Sequence, residues 1–290
     1  MRCKLCPRFC NVNRENEVGF CGAYRLPSVA KTMLHFFEEP PISGRNGSGA
    51  VFFSGCNLGC VFCQNEPLKD AVLGSVADAY ALKELYLSLQ DKGAHNINLV
   101  TPTPHIGVIR KSLLLAKNDG LTIPVVYNTG SYERADVIRS LEGLIDIYLP
   151  DIKYVSPVLS KRFSNAEDYF EFAAPAIREM FRQVGLLTLD ADGIAERGII
   201  LRHLVLPCCL NDSRAVLDYI ADSFPKDITI SLMRQYTPTE RTTTPPLNRR
   251  LTDREYERIL LYAMDLGFPN ILMQGKSSAS LSFTPDFTES

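Results

Sequence analysis

Short apolar runs alternate with amphipathic segments from residue 50 to residue 273, and this alternation limits the possible folds more than any other feature of the chain. The runs are almost continuously apolar, which is typical of strands buried on both faces of a sheet. The segments between them carry apolar residues at helical spacing. The predicted strands are 50–53, 96–100, 123–127, 145–149, 198–206 and 228–233, with a short final strand at 270–273; the predicted helices are one that Ser75 or Asp78 caps, 106–116, 132–141, one within 165–184, 212–223, and one ending at 266 that Thr252 caps.

This order of strands and helices predicts an α/β fold in which helices cover a parallel sheet. Right-handed crossovers curl such a sheet in one direction, and six repeats suit a partial TIM-type barrel. A doubly wound open sheet is the structural alternative. Because barrel active sites lie at the carboxyl ends of the strands, the residues that follow each strand are the first candidates for a functional site.

The composition is that of an ordinary globular protein without a strong charge bias. The 290 residues suffice for one large α/β domain or two smaller ones. A net charge of −2 provides no field that would attract nucleic acid or an anionic membrane. No run approaches the ~20 apolar residues that cross a bilayer, and the first residues lack the apolar core of a signal peptide. We therefore expect a cytoplasmic protein that binds neither nucleic acid nor membrane, with nine cysteines that serve as metal ligands and not as disulfides.

Three of these cysteines, Cys56, Cys60 and Cys63, follow the first predicted strand in the stretch GCNLGCVFCQN of residues 55–65. A short loop with three thiolates can hold three irons of a [4Fe–4S] cluster and leave the fourth iron open to a substrate or cofactor. A structural zinc loop is the alternative. Three cysteines supply only three of the four usual zinc ligands, and no fourth is evident nearby.

The same stretch resembles the signature of the radical S-adenosylmethionine (radical SAM) enzymes, and the resemblance covers nearly the whole chain. It implies a (β/α)6 core, SAM bound at the open iron, and reductive cleavage of SAM to methionine and a 5′-deoxyadenosyl radical. Phe62 matches the aromatic position that packs against the SAM adenine. The lead-in GSGAVFFSGC at 47–56, the exit CQNEP at 63–67 and the DIK at 151–153 resemble the pyruvate formate-lyase activating enzyme-like subgroup.

Two features depart from true activating enzymes, which abstract a hydrogen atom from a glycine of a partner enzyme. A cysteine-rich segment precedes the three-cysteine loop, and the Gly-Gly-Glu type segment expected after the second strand is replaced by TPTPH at 101–105. Both departures leave the glycyl-radical partner open. The substrate is accordingly expected to be either a protein glycine or a small molecule.

The cysteine-rich segment has the spacing C-x2-C-x3-C-x10-C, formed by Cys3, Cys6, Cys10 and Cys21. It contains too few apolar residues to fold around a core of its own, and segments of this size usually depend on a metal or a staple. Four thiolates can close a tetrahedral zinc site or bind a second [4Fe–4S] cluster. The sequence leaves both possibilities open.

Polar residues follow several predicted strands at the edge where the resemblance places SAM. Asp151 and Lys153 are two residues apart and point the same way if the strand continues. They resemble the Asp-x-Lys segment that organises the SAM carboxylate in activating enzymes, with a structural salt bridge as the alternative. Thr101 and Thr103 can offer hydroxyl and carbonyl groups to SAM where the Gly-Gly-Glu type segment is missing, with a rigid turn as the alternative. The resemblance suggests a SAM contact for Asn128, with a ligand-free Asn-Thr-Gly turn as the alternative. Arg202 can pair with a carboxylate of SAM or of the core.

Other polar residues receive weaker assignments. Glu38 and Glu39 read as a solvated turn in the linker. His105 reads as a hydrogen-bonded loop residue or, because it follows a strand, as a substrate contact or proton-transfer group. Adjacent Cys208 and Cys209 are poor partners for one metal, and a buried structural role is expected for them.

The sequence therefore predicts three parts: a cysteine-rich metal-binding segment and linker at 1–45, a radical SAM core at 46–275 and a tail at 276–290. The predicted protein is a radical SAM enzyme that takes electrons from a donor such as flavodoxin or ferredoxin. Two alternatives are an iron–sulfur electron-transfer protein without SAM turnover and a zinc-stabilised binding protein. The latter predicts a basic stripe, which this near-neutral chain does not show.

Overall fold

A computed structural model describes residues 2–69, 73–275, 278 and 285–287, so most of the predicted tail lies outside the described residues. Its strands join into a single ten-stranded sheet. The strands are β1 Ser28–His35, β2 Ser48–Phe53, β3 Ser75–Val76, β4 Ile97–Val100, β5 Val125–Thr129, β6 Ile147–Pro150, β7 Thr188–Leu189, β8 Ala195–Leu204, β9 Thr229–Met233 and β10 Ile271–Met273.

The helices lie between successive parallel strands, with one short helix before β2. They are α1 Pro40–Ser43, α2 Ala79–Asp91, α3 Ile106–Asn118, α4 Ala135–Arg139, α5 Pro157–Ser164, α6 Tyr169–Val184, α7 Leu210–Ser223 and α8 Asp253–Asp265. None of the helices in the described ranges combines the length and the apolar character needed to cross a bilayer.

The strand order in the sheet is β10-β9-β8-β6-β5-β4-β2-β1-β3, with β7 paired to β8. The seven strands from β2 to β10 on this path are parallel, whereas β1, β3 and β7 pair antiparallel with their neighbours. The parallel strands follow chain order without a reversal, and a doubly wound sheet would reverse its order. The predicted α/β fold with a parallel sheet is confirmed.

The predicted strands correspond to β2, β4, β5, β6, β8, β9 and β10, because continuous apolar runs mark strands buried on both faces. Two helix starts also follow from the sequence. Asp78 caps α2 by accepting hydrogen bonds from the N–H groups of Tyr80 and Ala81. Thr252 caps α8 in a reciprocal arrangement with Glu255, a capping box.

The helix predicted at 132–141 is wrong in its bounds, since α4 spans only Ala135–Arg139. Tyr132 and Glu133 belong instead to a buried loop, where the Tyr132 hydroxyl donates to Asp168 and the Glu133 carboxylate accepts from hydroxyl groups. These tertiary hydrogen bonds hold both residues out of the helix.

The sequence does not predict five elements: β1, β3, β7, α1 and α5. β1 has half-buried residues along most of its length, so it lacks a clear apolar alternation, and its pairing with β2 defines it. α5 is too short for apolar periodicity, but its ends carry local signals. Ser156 caps its start, Pro157 occupies the first turn, and Asn165 ends it in the left-handed conformation.

Candidate functional site

The interior of the curled sheet is sealed by an apolar layer just below the carboxyl ends of the strands. Alternate residues of a strand share a face, and Val126, Leu149 and Ile200 pack together on the inner face. Ile42 of α1 joins this cluster and is fully buried. The residues two positions further along the same three strands form the next layer toward the carboxyl edge: Asn128, Asp151 and Arg202.

Arg202 organises that polar layer. Its Nε donates to Asp151 Oδ1 at 2.9 Å and its Nη2 donates to Asn128 Oδ1 at 2.7 Å. Its Nη1 lies 3.2 Å from Glu38 Oε2. Glu38 also accepts, through Oε1, from the amides of Asn98 at 3.1 Å and Asn128 at 3.0 Å. One guanidinium thus ties the linker before β2 to strands β5, β6 and β8.

Lys153 completes the ionic network at the carboxyl edge. Its Nζ donates to Asp151 Oδ2 at 2.6 Å. Burial opposes ionisation of Asp151, but the positive charges of Arg202 and Lys153 outweigh it and lower the pKa of this carboxyl. Burial likewise opposes the charge of Lys153, and the Asp151 carboxylate overcomes it and raises the pKa of the ammonium. Both groups are therefore ionised at neutral pH.

The prediction that Glu38 and Glu39 form a solvated turn is wrong. Glu39 is 9% exposed, and its Oε2 makes no hydrogen bond to the described residues. Burial raises the pKa of the Glu39 carboxyl, against the opposing effect of Arg202. Ile42 follows Glu39 by three residues and packs in the apolar layer. Burial of Ile42 therefore places the two glutamates next to the sheet interior.

The three-cysteine loop lies beside this polar layer, as its position after β2 predicts. Cys56, Cys60 and Cys63 line one cavity of about 220 Å³, here called cavity A, together with Asn128 and Asp151. Cys60 is 9% exposed, and burial raises the pKa of its thiol. Burial also raises the pKa of Cys63 to about 12. The three thiols therefore face the same space as the ionic groups at the strand ends.

The loop approaches the end of β5 closely at Gly130. A Cβ atom at this glycine would lie 2.8 Å from Leu58 Cδ1, closer than packed carbon atoms approach. Any other residue would require the tip of the Leu58 side chain to move, so glycine favours this close approach of the cysteine loop to the end of β5.

The arrangement of the thiols bears on which group they can hold. Among the described residues, no three or more His, Cys, Asp or Glu side chains are arranged to hold a single metal ion. One zinc ion requires its sulfur ligands at about 2.3 Å from a common centre. A [4Fe–4S] cluster spreads its cysteine ligands over separate irons. Three thiols on one cavity wall are the donor set that such a cluster requires.

A second cavity of about 400 Å³, here called cavity B, adjoins cavity A. The two share a wall that includes Cys60, Cys63, Lys153 and Arg202. The far side of cavity B is formed by Glu39 and by residues at the ends of β8, β9 and β10. That side combines apolar side chains with polar ones: Leu204, Met233, Tyr236 and Leu272, and Ser231, Thr237 and Gln274.

The remaining predicted SAM contacts fall on different sides of these cavities. Thr101 lines cavity A with a φ of 59°, a strained conformation for a β-branched residue. Thr103 also lines cavity A, but its hydroxyl donates to Glu133 at 2.5 Å. Phe62 lines cavity B and packs edge-on against Tyr154.

Three other candidates lie elsewhere. His105 is buried, its Nε2 lies 2.8 Å from the Ser54 carbonyl oxygen, and burial lowers its pKa to about 4. It lines neither cavity A nor cavity B. Cys209 is buried as expected, whereas Cys208 is exposed with its Sγ 3.0 Å from an Arg249 nitrogen. Neither of these two cysteines lines cavity A or B.

Glu133 is a buried carboxylate that the sequence analysis did not single out. Its Oε1 accepts from the hydroxyls of Thr103 at 2.5 Å, Thr129 at 2.7 Å and Tyr127 at 3.1 Å. Burial raises its pKa to about 7, against the effect of these hydrogen bonds. No local pattern in the sequence marks it, because its partners come from two other strand ends.

The four N-terminal cysteines line a separate small cavity of about 10 Å³. Gly19 is required there, since a Cβ atom would lie 2.7 Å from Cys10 Sγ. Burial raises the pKa of Cys6 to about 12. Asn57 lines this cavity and cavity A, so it borders both groups of cysteines.

Comparison with known proteins places the chain in a family. No protein-family model matches it. Uncharacterized protein MJ0674 of Methanocaldococcus jannaschii is 32% identical over 272 residues, which cover 89% of this chain and 73% of that protein. The chain belongs to the family of MJ0674.

Two solved structures share the fold. SuiB of Streptococcus suis, bound to its precursor peptide SuiA, superimposes with a TM-score of 0.52 and 13% identity over 76% of this chain. Methylornithine synthase (PylB) superimposes with a TM-score of 0.51 and 15% identity over 78% of this chain. The chain spans 46% of the SuiB chain and 65% of the methylornithine synthase chain. At these identities the similarity concerns the fold alone.

Proposed function

We propose that this protein is a radical SAM enzyme with a partial (β/α)6 barrel. One observation carries the proposal. The three cysteines of the C-x3-C-x2-C loop face one cavity at the carboxyl edge of a parallel sheet, beside a buried ionic network. The shared fold of SuiB and methylornithine synthase supports the barrel architecture.

Cys56, Cys60 and Cys63 are the proposed ligands of a [4Fe–4S] cluster. Such a cluster, with SAM at its open iron, supplies the electron that cleaves SAM to methionine and a 5′-deoxyadenosyl radical, which then abstracts hydrogen from a substrate. The cysteine loop contributes the ligands, and the strand ends contribute the polar groups of cavity A.

The groups of cavity A suit the polar end of SAM. Lys153 has three donors and gives one of them to Asp151, so others can reach a carboxylate in the cavity. Asn128 and Arg202 fix the position of Asp151 and Glu38, which present negative charge to an amino group. Thr101 adds a hydroxyl and a strained backbone at the same edge.

Cavity B suits the substrate, because it shares Cys60 and Cys63 with cavity A and its far side offers both apolar and polar side chains, such as Met233 and Gln274. The activating-enzyme-like subtype remains part of the proposal, as does the choice between a protein glycine and a small molecule. An electron donor such as flavodoxin or ferredoxin, a cytoplasmic location and a second [4Fe–4S] cluster or zinc ion at the N-terminal cysteines complete it.

The proposal is tested by anaerobic reconstitution with iron and sulfide, reduction with dithionite and chromatography for 5′-deoxyadenosine. We expect iron to bind and 5′-deoxyadenosine to form from SAM. Replacing Cys56, Cys60 and Cys63 together by alanine should abolish the product. Iron and zinc counts on the same samples should show the loss of cluster iron from this variant and identify any metal at the N-terminal cysteines.

Cys208→Ala is the matched control, because it removes one cysteine that lies outside both cavities. It should make as much 5′-deoxyadenosine as the wild type. A triple variant that still forms the product would refute the proposed ligands. A reconstituted wild type that binds iron without cleaving SAM would favour an electron-transfer protein instead.

A further inference from the structure

Ser164 makes a hydrogen bond to one of the proposed cluster ligands. Its hydroxyl donates to Cys60 Sγ at 2.9 Å, although the two residues are 104 positions apart. Ser164 is the last residue of α5 and is 1% exposed. The carbonyl oxygen of its neighbour Phe163 also accepts from the Val61 N–H at 2.9 Å, so the end of α5 lies directly against the cysteine loop.

Tyr154 extends this contact with a second hydrogen bond to Ser164. Tyr154 Oη lies 3.0 Å from Ser164 Oγ, and Tyr154 is 1% exposed. A serine hydroxyl has one hydrogen atom. If that hydrogen is given to Cys60, Tyr154 is the donor to Ser164. The three side chains then form a chain of hydrogen bonds that ends on the sulfur, and each bond in such a chain polarises the next.

Arg8, from the N-terminal cysteine segment, hydrogen-bonds both the end of α5 and the cysteine loop. Its Nη2 donates to the Ser164 carbonyl oxygen at 3.1 Å, and its Nε donates to the Asn57 carbonyl oxygen at 2.8 Å. It also donates to the carbonyl oxygen of Asn165. The last carbonyl groups of a helix lack hydrogen-bond partners within it. A guanidinium at this end donates to them, and its positive charge interacts favourably with the helix dipole.

We propose that Ser164, oriented by Tyr154 and held by Arg8, raises the reduction potential of the cluster on Cys56, Cys60 and Cys63. The inference rests on the proposed function. A reduced cluster carries more negative charge than an oxidised one, and hydrogen bonds to the ligand sulfurs are among the factors that set cluster potentials. A donor to Cys60 Sγ therefore stabilises the reduced state more than the oxidised state. The N-terminal segment thereby influences how easily the cluster accepts an electron.

Ser164→Ala removes the donor to Cys60 and should shift the midpoint potential of the reconstituted protein to more negative values. The potential is measured by redox titration followed by electron paramagnetic resonance of the reduced cluster, without SAM or substrate. Ser164→Thr keeps a hydroxyl and should restore the potential. Ser160→Ala is the matched control in the same helix, because the Ser160 hydroxyl donates to the Pro157 carbonyl oxygen and not to a cysteine.

Tyr154→Phe provides an independent test if Ser164→Ala binds less iron. It keeps the Ser164 hydroxyl but removes the donor behind it, and should produce a smaller shift in the same direction. Unchanged potentials in both variants at full iron content would overturn the inference while leaving the proposed function intact. A wild-type protein that assembles no cluster would instead defeat the proposed function itself.

Arg8→Gln tests the contribution of the N-terminal segment. It should lower the potential as Ser164→Ala does, because the hydrogen bonds from Arg8 that join the end of α5 to the cysteine loop are lost. Arg25→Gln is the control from the same segment, since Arg25 pairs with exposed Glu15. Equal potentials for Arg8→Gln and Arg25→Gln would remove Arg8 from the proposal.

Discussion

The buried carboxyl of Glu133 should make the stability of the whole protein depend on pH. It is fully buried, and three hydroxyl groups donate to the same oxygen. Burial nevertheless raises its pKa from 4.5 to about 7. The folded protein therefore keeps this proton in a pH range where the unfolded chain has lost it. The contribution of this proton to stability is complete below about pH 4.5 and is lost as the pH rises to about 7.

Replacing Glu133 by glutamine should remove this pH dependence. Between pH 4 and pH 8, the free energy of unfolding of the wild type should fall by roughly 3 kcal/mol relative to that of Glu133→Gln. Each pH unit between the two pKa values corresponds to ~1.4 kcal/mol. Urea unfolding of both proteins at several pH values measures the difference. Other titrating groups cancel in this comparison because both proteins contain them. A difference that stays constant with pH would show that Glu133 is ionised throughout.

At the scale of secondary structure, α8 is stabilised by a capping box in its first turn. The Thr252 hydroxyl accepts from the Glu255 N–H, with 3.3 Å between Oγ1 and the nitrogen. The Glu255 carboxylate in turn accepts from the Thr252 N–H at 3.0 Å. These two contacts satisfy N–H groups that have no partner within the helix. The helix then packs Tyr256, Ile259 and Ala263 into the core.

Thr252→Ala should lower the free energy of unfolding by about 1 kcal/mol, the usual cost of losing an N-cap. Thr252→Ser retains the hydroxyl and should remain close to the wild type. Chemical denaturation at neutral pH compares the three proteins. An alanine variant as stable as the serine variant would mean that the cap contributes nothing to the stability of the protein.

At the scale of the whole molecule, a few long-range polar contacts attach the N-terminal part of the chain to the sheet. Glu38 and Arg202 are 164 positions apart, and their side chains are 14% and 10% exposed. Arg8 and Ser164 are 156 positions apart. Buried charges are tolerated when they are paired and become costly when a partner is removed. These contacts therefore determine where the N-terminal residues lie relative to the cysteine loop.

Glu38→Ala should destabilise the protein by about 3 kcal/mol, because Arg202 loses a buried partner. Glu167→Ala is the surface comparison. Glu167 pairs with Lys161 at 2.7 Å, but both side chains are more than 60% exposed, so its loss should cost less than about 1 kcal/mol. Thermal and denaturant unfolding measure both. Similar losses from the two variants would show that Arg202 is adequately paired without Glu38.

Much of the fold could be predicted because it depends on short-range patterns. The apolar runs that became β2, β4 and β5 are buried on both faces, so the sequence alone marks them. The sequence does not predict β1, because half-buried residues show no comparable pattern. It predicts a helix at 132–141, whereas Glu133 lies in a loop because its hydroxyl partners Thr103 and Thr129 lie at the ends of other strands.

The amino-acid sequence by itself determined the order of strands and helices, the three-cysteine loop and the residues that follow the strands, since each is set by neighbours along the chain. Only the tertiary structure decided that Glu38 and Glu39 are buried, that Arg8 reaches the end of α5, and that Ser164 donates to Cys60. These contacts join segments far apart in sequence. They form because burial in a shared interior requires each polar group to find a partner, whatever its position in the chain.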